Sequence, residues 1–600
     1  MQKNTKPRRV WKLPRGTEDY WVSKDFDHVA CIGSYQGTRF LTYDDYRETG
    51  FDSAEFSGNR QCDFAEAILV NRAGKQYYVI FGRVLPAFDE VKYIVVSGDG
   101  VQAAFAGRSG DRWHWVLNGR IVATGNAVSK YSKFYFSPDG TRWACSIRRE
   151  DGWHVMVDGT GYGPFDAVQY EEPDLYMGRC IQPCFSPDSR QALFAARKGD
   201  RWLLFCEGLW HDFHSRRSAL SLDELELTGG AAIDDRPDLT VTWTHSLDGS
   251  RWAAAYEVEG KWSRLMVDGY FLPQDFDWLR LNSCVLPNEF STGNDAFFSP
   301  GGRHYACPVM IGEASCILFD GNLIPCAAND LKVRNIFWNP DGERYDYLAT
   351  LRKRSFARDE NGLVAGDLCM VLDGKVGPAF WDLDGGLYYS PDGRHTAYVG
   401  MAMTGETECL DHMMVDGVSV YKCGFINHHD SLGFTADNKL YFISATVEET
   451  AKDCCDHFFH YGESVSEAHD SFYDCLVSPD KRRVAIFGQR AHQNRRRQDT
   501  LILDGKRCPT GATGWSQHSF SPDSRHHLWE VERKGQEWLL LDGKILFGLS
   551  QCNWGARFTS DSRYIEYVSQ QGRTLRYRKL SVAKLLKRRQ RSGRGKPGKR

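Results

Sequence analysis

A tight-turn motif that keeps returning constrains this chain more than any other feature. Phe136-Ser137-Pro138-Asp139-Gly140-Thr141-Arg142 recurs as Phe185-Ser186-Pro187-Asp188-Ser189-Arg190, Phe298-Ser299-Pro300-Gly301-Gly302-Arg303, Tyr389-Ser390-Pro391-Asp392-Gly393-Arg394 and Phe520-Ser521-Pro522-Asp523-Ser524-Arg525. Proline pre-sets φ at the second turn position, Ser and Asp bond local backbone, and Gly accepts positive φ. A second turn follows in each unit: Asp158-Gly159, Asp268-Gly269, Asp320-Gly321, Asp373-Gly374, Asp416-Gly417, Asp504-Gly505 and Asp542-Gly543. Asp-Gly between apolar alternations is a strong short-range hairpin signal. One unit therefore reads as four antiparallel strands, a to d, with tight a–b and c–d turns. That is a meander of about forty residues, the size of a propeller blade.

The Asp position of the first turn falls at Asn59, Asp99, Asp139, Asp188, Asp248, Gly301, Asp341, Asp392, Asp437, Asp480, Asp523 and Asp561, which makes twelve units. The turn pattern resembles that of the TolB-type, WD-repeat-like β-propellers of bacteria, over about residues 50 to 578. The Gly-His and Trp-Asp signature of eukaryotic WD repeats is absent, so likeness to those is architectural. The expected fold is all-β: about twelve four-stranded blades, more than the roughly four to eight of one ring. Two six-bladed rings in tandem are the simplest division, and seven plus five also fits. The expected layout is a polar basic lead-in (1–25), an N-terminal propeller (26–325), a C-terminal propeller (326–580) and a basic tail (581–600). Strand-like runs within 26–50 are expected to help close a ring, because closure removes exposed edges.

The formal net charge is −3, which advertises neither nucleic acid nor a membrane surface for the chain as a whole. No run approaches the roughly eighteen apolar residues of a membrane span. Basic residues near Met1 are not followed by an apolar run, so no secretory signal is expected. Eighteen cysteines without such a signal fit a reducing compartment, and the expected setting is a bacterial cytoplasm.

The aromatic before each a–b turn reads as packing between neighbouring blades. The basic residue after it (Arg142, Arg190, Arg251, Arg303, Arg344, Arg394, Lys439, Arg482, Arg525 or Arg563) recurs too often to mark one site, and pairing across blades is the expected role. Insertions fall in d–a connections (208–239 and 269–295) and b–c loops (350–365, 446–456 and 488–498). All of these would emerge at the end opposite the turns, and loops on a rigid scaffold commonly carry binding. Basic loop residues Arg352, Lys353, Arg354, Arg358, Arg495, Arg496 and Arg497 are candidate binding residues, with Lys587, Arg588 and Arg589 of the tail. Acidic residues such as Glu171, Glu172, Asp223 and Glu224 mark loops of the first half. Lys584 to Arg600 carries nine basic residues and no acid, leaving −12 for the rest (−3 minus 9). Such a tail suits nucleic acid, with binding that falls steeply with salt.

Catalytic signatures are missing. There is no Gly-x-Ser-x-Gly elbow; Gly514-Trp515-Ser516-Gln517-His518 lacks the last glycine. Cys454, Cys455, Asp456, His457 and His460, with His428, His429, His469 and Cys475 nearby, suggest a metal by composition. However, His457 and His460 lie three apart on one strand and so point to opposite faces. His211, Asp212 and His214 form a smaller cluster, and Asp382 and Asp384 lack the rest of a calcium loop. No cofactor and no metal are therefore expected. The leading expectation is a non-enzymatic scaffold that binds a protein through its loop-bearing face. The alternatives are a nucleic-acid-associated scaffold, and an enzyme with its site in a propeller channel.

Overall fold

The computed structural model describes residues 10–23, 27–57, 67–128, 134–168, 184–199, 201–212, 217–220, 239–258, 262–281, 297–351, 367–403, 409–427, 431–446, 457–467, 469, 471–490, 498–512, 514–533, 536–549 and 554–586. They form thirteen antiparallel sheets arranged as β-propeller blades, and the helix among them is confined to 582–586. The chain divides into two compact units. Seven of the thirteen sheets, from Thr17–Val22 to Asn322–Pro325, belong to the first unit, and the other six belong to the second.

The turn chemistry explains the strand pattern. At each Asp-Gly turn both residues have positive φ, as at Asp158 (49°) and Gly159 (89°), which matches the twist of the flanking strands. At the a–b turn the buried Ser137 hydroxyl donates to Asp139 Oδ1 at 2.6 Å and accepts the Arg142 amide at 2.9 Å. Ser186, Ser246, Ser390 and Ser521 donate to their own turn aspartates at 2.6 Å. The Ser137 hydroxyl, then the Thr141 amide, hold the Asp139 carboxyl down to about 2.

Thirteen sheets stand where the turn count gives twelve. The additional one is Thr17–Val22, Val29–Tyr35, Thr38–Tyr43 and Tyr46–Thr49. Ser23, at the end of its first strand, plays the part of the turn serine. The His28 amide bonds Ser23 Oγ at 2.9 Å, and His28 Nδ1 meets Asp44 Oδ2 at 2.7 Å. Part of the stretch read as a lead-in, 1–25, is therefore strand. Val10–Lys12 pairs with Thr574–Ser581 and completes the last sheet, which also holds Trp554–Phe558 and Tyr564–Gln571. The second unit thus takes its final edge from the far end of the chain, and pairing removes that open edge.

The aromatics do pack between blades. Phe185 lies against Ala144, Val155 and Val157 of the preceding sheet, and Phe520 against Ala485, Phe487 and Leu501. The loops are less uniform than length alone suggests. The b–c connections start and end away from the turns, as at the Leu351 amide bonded to the Asp367 carbonyl (2.7 Å). Part of one stretch expected as a d–a connection, 269–295, belongs to strand a, and strand a of the fifth sheet comes in two pieces. Ala167–Val168 and Cys184–Phe185 both pair with Ala192–Lys198, and Trp278–Leu279 already pairs with Ala306–Ile311. One long connection, between Ser53–Phe56 and Ile68–Arg72, joins strands a and b and so opens at the turn end.

Two tests follow from this packing. Trp11 is buried in the closing strand. Trp11→Ala should cost about 3–5 kcal/mol, with hydrogen exchange in Thr574–Ser581 accelerating more than anywhere in the first unit. Burial also pushes His211, His245 and His460 down to about 4 and His527 to about 3. An unfolded histidine titrates near about 6.5. The unfolded chain therefore gains protons first as pH falls. Stability is complete above about pH 6.5 and drains as pH drops toward about 4, on the order of 3 kcal/mol per histidine. Urea midpoints should fall between about pH 7 and about pH 5, and a flat profile would contradict the neutral burial of these rings.

Candidate functional site

One corner is repeated through both units and shows what the odd corner lacks. In the first unit, Arg142 Nε bonds Asp158 Oδ2 at 2.8 Å, and Asp158 Oδ1 accepts the Trp143 amide at 2.9 Å. The same guanidinium reaches the next sheet, bonding the Arg190 carbonyl and Glu207 Oε1, and lies 5.3 Å from the Phe185 ring centroid. Arg251 does likewise with Asp268, the Gly302 and Arg303 carbonyls and the Phe298 ring. In the second unit Arg483 clamps Asp504, the Arg525 carbonyl and Phe520. These clamps are 23–25% exposed.

The recurring basic residues thus occupy two registers. The clamp stands five residues after the turn serine, as in Arg142, Arg251 and Arg483, and His304, His395 and His526 take the same place with their own turn aspartates. The basic residues four after the serine, Arg190, Arg394 and Arg525, are 80–86% exposed and only skim their own Asp at 3.7–4.0 Å. Pairing across blades therefore holds for the arginines Arg142, Arg251 and Arg483 of the first register. It does not hold for the second, whose side chains leave the turn toward solvent.

The eighth sheet (Leu331–Trp338, Tyr345–Leu351, Leu368–Leu372, Lys375–Phe380) breaks the corner. Asn339 replaces the turn serine. Its Nδ2 donates to the Gly393 carbonyl at 2.9 Å, so Asp341 has no serine hydroxyl to accept. Arg344, in the clamp position, turns to Asp341 instead, with Nε and Nη2 each 3.1 Å from Oδ2, and keeps only a longer bond, 3.4 Å, to the Gly393 carbonyl of the next sheet. Its side chain is 54% exposed, about twice as open as the clamped arginines. Among the described residues, no ion pair reaches the Asp373 carboxylate that a clamp would hold.

A second change fills the floor. Five clamped or related sheets place Ala144, Ala253, Ala306, Ala397 and Ala485 seven residues after the serine; the eighth places Asp346 there. The aromatic it faces, on strand Asp382–Tyr389 of the ninth sheet, is a tyrosine. Tyr389 Oη donates to Asp346 Oδ2 at 2.6 Å, and Asp346 Oδ1 accepts the Asp373 amide at 2.7 Å. Burial raises the Asp346 carboxyl above the usual carboxylate range. Burial and then the Asp346 charge raise the Tyr389 phenol. Glu566 holds the corresponding place in the last sheet, but there Lys579 neutralises it at 2.9 Å.

The outcome is a cleft of about 520 Å³ at the turn end of the eighth and ninth sheets. It is bounded by Arg344, Asp373, Lys375, Tyr389, Arg394 and Asp416, with Asp346 below. On its far wall His395 Nδ1 meets Asp416 Oδ2 at 2.8 Å, and that hydrogen bond raises the histidine. Nucleophile, base and oxyanion donors do not converge here as acyl or phosphoryl transfer would require. The cleft presents carboxylates, an aromatic ring, a lysine and two arginines.

The residues singled out by sequence lie elsewhere. Arg352, Lys353, Arg354, Arg358, Arg495, Arg496, Arg497, Lys587, Arg588 and Arg589 are outside the described residues, as are Glu171, Glu172, Asp223, Glu224, Cys454, Cys455, Asp456, His428, His429 and His214. His457 and His460 share strand His457–Tyr461. His460 is buried on Phe442, with Ser444 Oγ at 2.8 Å from its Nε2, while the His457 backbone pairs with His469. Among the described residues, no three His, Cys, Asp or Glu side chains gather as a metal site. Buried Asp212 pairs with Arg201 at 3.3 Å, and His211 packs on Trp252. The cleft residues were missed as a site, although Asn339 and Asp346 stand out as departures once the units are laid side by side.

No known protein family matches the chain, and no curated protein does. Solved structures similar to it include a eukaryotic initiation factor (11% identity, 66% of this chain and 95% of that one, TM-score 0.26). The tricorn protease (12%, 88% and 57%, 0.23) and TolB from Acinetobacter baumannii (13%, 57% and 81%, 0.17) are others. At these values the likenesses carry no argument about activity.

The buried pair makes a stability prediction. Tyr389→Phe removes a donor from a buried carboxyl and should cost about 1–3 kcal/mol. Asp346→Ala should cost less, because the Phe337 carbonyl lies 3.2 Å from Tyr389 Oη. The double variant restores the Ala-and-Phe floor of other corners and should be more stable than the Tyr389→Phe single variant. Additive losses in denaturant unfolding would show that the two side chains are not coupled.

Proposed function

We propose that the chain is a non-enzymatic interaction scaffold on tandem β-propellers, and that the cleft of the eighth and ninth sheets is a partner-binding site. The observation that carries this reading is the break in an otherwise repeated corner. Elsewhere an arginine or histidine of the chain meets the c–d turn carboxylate, whereas here the Asp373 carboxylate is left to solvent beside Lys375. A structural role alone would favour the repeated solution. The basic residues Arg352 to Arg354, Arg358 and Arg495 to Arg497 are, in this reading, a second partner-binding set. The TolB-type turn pattern supports a bacterial origin, and buried thiols such as Cys145, Cys307 and Cys369 suit a reducing cytoplasm.

The composition of the tail favours nucleic acid as the alternative partner. A steep salt dependence abolished by deleting Lys584 to Arg600 would carry that alternative. The direct test is cross-linked capture from the source cells with the full chain and with Asp373→Asn. Asn tolerates the positive φ of this turn position (47°), so the variant should fold. A protein recovered with the natural chain and depleted at least about tenfold (about 1.4 kcal/mol) with the variant is expected. Equal recovery by both chains would remove the cleft from the account.

A further inference from the structure

We infer that the cleft receives the guanidinium of an arginine side chain presented by a partner protein. This rests on the reading of the cleft as a binding site and names the chemistry of its ligand.

The chain already shows what fits such a space. The Arg142 guanidinium is enclosed by four groups: the carboxylate of its own c–d turn (Asp158), an acid of the next c–d turn (Glu207), the next aromatic (Phe185) and a carbonyl of the next a–b turn (Arg190). The cleft presents the same set in the same order of elements. Asp373 stands for Asp158, Tyr389 for Phe185, and the a–b turn at Gly393 and Arg394 for that at Ser189 and Arg190; Asp416 stands for Glu207 but is shared with His395, as Asp320 beside the Arg251 corner is with His304. Arg344 still touches the Gly393 carbonyl through Nη2 at 3.4 Å, but Asp341 holds its Nε and Nη2, so among the described residues no guanidinium reaches Asp373.

Guanidinium also suits these groups chemically. It is planar, it presents several donors in a fixed fork, and it is weakly enough hydrated to lie on an aromatic face. An ammonium offers a point charge without the stacking plane. Lys375 and Arg394 on the rim give an anion some attraction, so phosphate is the rival. Yet among the described residues three corners hold a guanidinium against a c–d turn carboxylate, a carbonyl of the next turn and the next aromatic ring.

Asn339 is the device that keeps the place open. Asn339→Ser would return a hydroxyl to Asp341, as Ser137 gives one to Asp139. Arg344 would then be released to close on Asp373, and the chain would fill its own cleft.

The test titrates an end-blocked Gly-Arg-Gly peptide into the full-length chain by calorimetry, up to about 10 mM. Gly-Lys-Gly, the citrulline analogue and inorganic phosphate are run alongside. Saturable binding of the arginine peptide is expected, at least about tenfold tighter than the lysine peptide and undetectable for citrulline. Asp373→Asn and Asn339→Ser should each weaken it at least about tenfold, the first by removing the carboxylate and the second by self-occupancy. The inference is overturned if the arginine peptide does not bind, if phosphate binds and the peptide does not, or if Asp373→Asn binds unchanged. If partner capture depends on Asp373 but the peptide fails to bind, the binding cleft stands and the arginine assignment falls. If the peptide binds and partner capture ignores Asp373, the chemistry stands and the proposed function falls.

Discussion

The structure depends on one carboxylate used twice. At most Asp-Gly c–d turns the aspartate accepts a main-chain amide from strand b with one oxygen and a clamp side chain with the other. Where that side chain is arginine, its far end reaches a carbonyl and an aromatic ring of the next sheet. One group thus fixes a hairpin, ties it to the adjacent hairpin and passes the contact on. Each such tie is worth about 1 kcal/mol, too little to fold a blade. Repeated around a unit, it sets how neighbouring blades lie on one another. Serine residues at the turn add to the tie. Ser189, Ser524 and Ser562 take the positive φ that glycine takes elsewhere, and each accepts an amide from the preceding turn, at Asp139, Asp480 and Asp523.

Seen against that rule, the eighth sheet is a chain of consequences from one replacement. An amide side chain at Asn339 spends its donor on Gly393. The turn aspartate then recruits Arg344, the clamp leaves, and Asp346 takes over the amide that steadies the Asp373 turn. The tyrosine hydroxyl of Tyr389 completes the exchange. A buried polar pair replaces an alanine and a phenylalanine, and the surface above it opens. Satisfying one group thus unsatisfied another, and the unsatisfied one faces solvent where a ligand can reach it.

Most of the architecture was legible because it is local. Asp-Gly turns, Ser-Pro-Asp turns and apolar alternation each act over a few residues, and they recover the four-stranded unit. Two features escaped for the opposite reason. The sequence around Ser23 has neither Pro nor Gly, so the runs within 26–50 read as strands that help to close a ring, whereas they form a sheet of their own. Val10–Lys12 is three residues long and finds its partner at the far end of the chain, which no period can announce. Strand a split into Ala167–Val168 and Cys184–Phe185 reads, by length, as a loop before a strand. The cleft was half legible. Asn339, Asp346 and Tyr389 are visible departures from the repeat, but the direction in which Arg344 turns is set by competition between Asp341 and Asp373, and only the folded corner decides it.

That competition is the central claim, and side-chain NMR of the arginine Nε–Hε groups tests it most directly. Hydrogen exchange at Arg142, Arg251 and Arg483 should be slow, since each Nε–H is held by a turn carboxylate under a partly covering ring. Arg344, open on Asp341, should exchange much faster and should slow to the level of the others in Asn339→Ser. Arg344 exchanging as slowly as the clamped arginines in the natural chain would mean that the corner is closed, and the cleft with it.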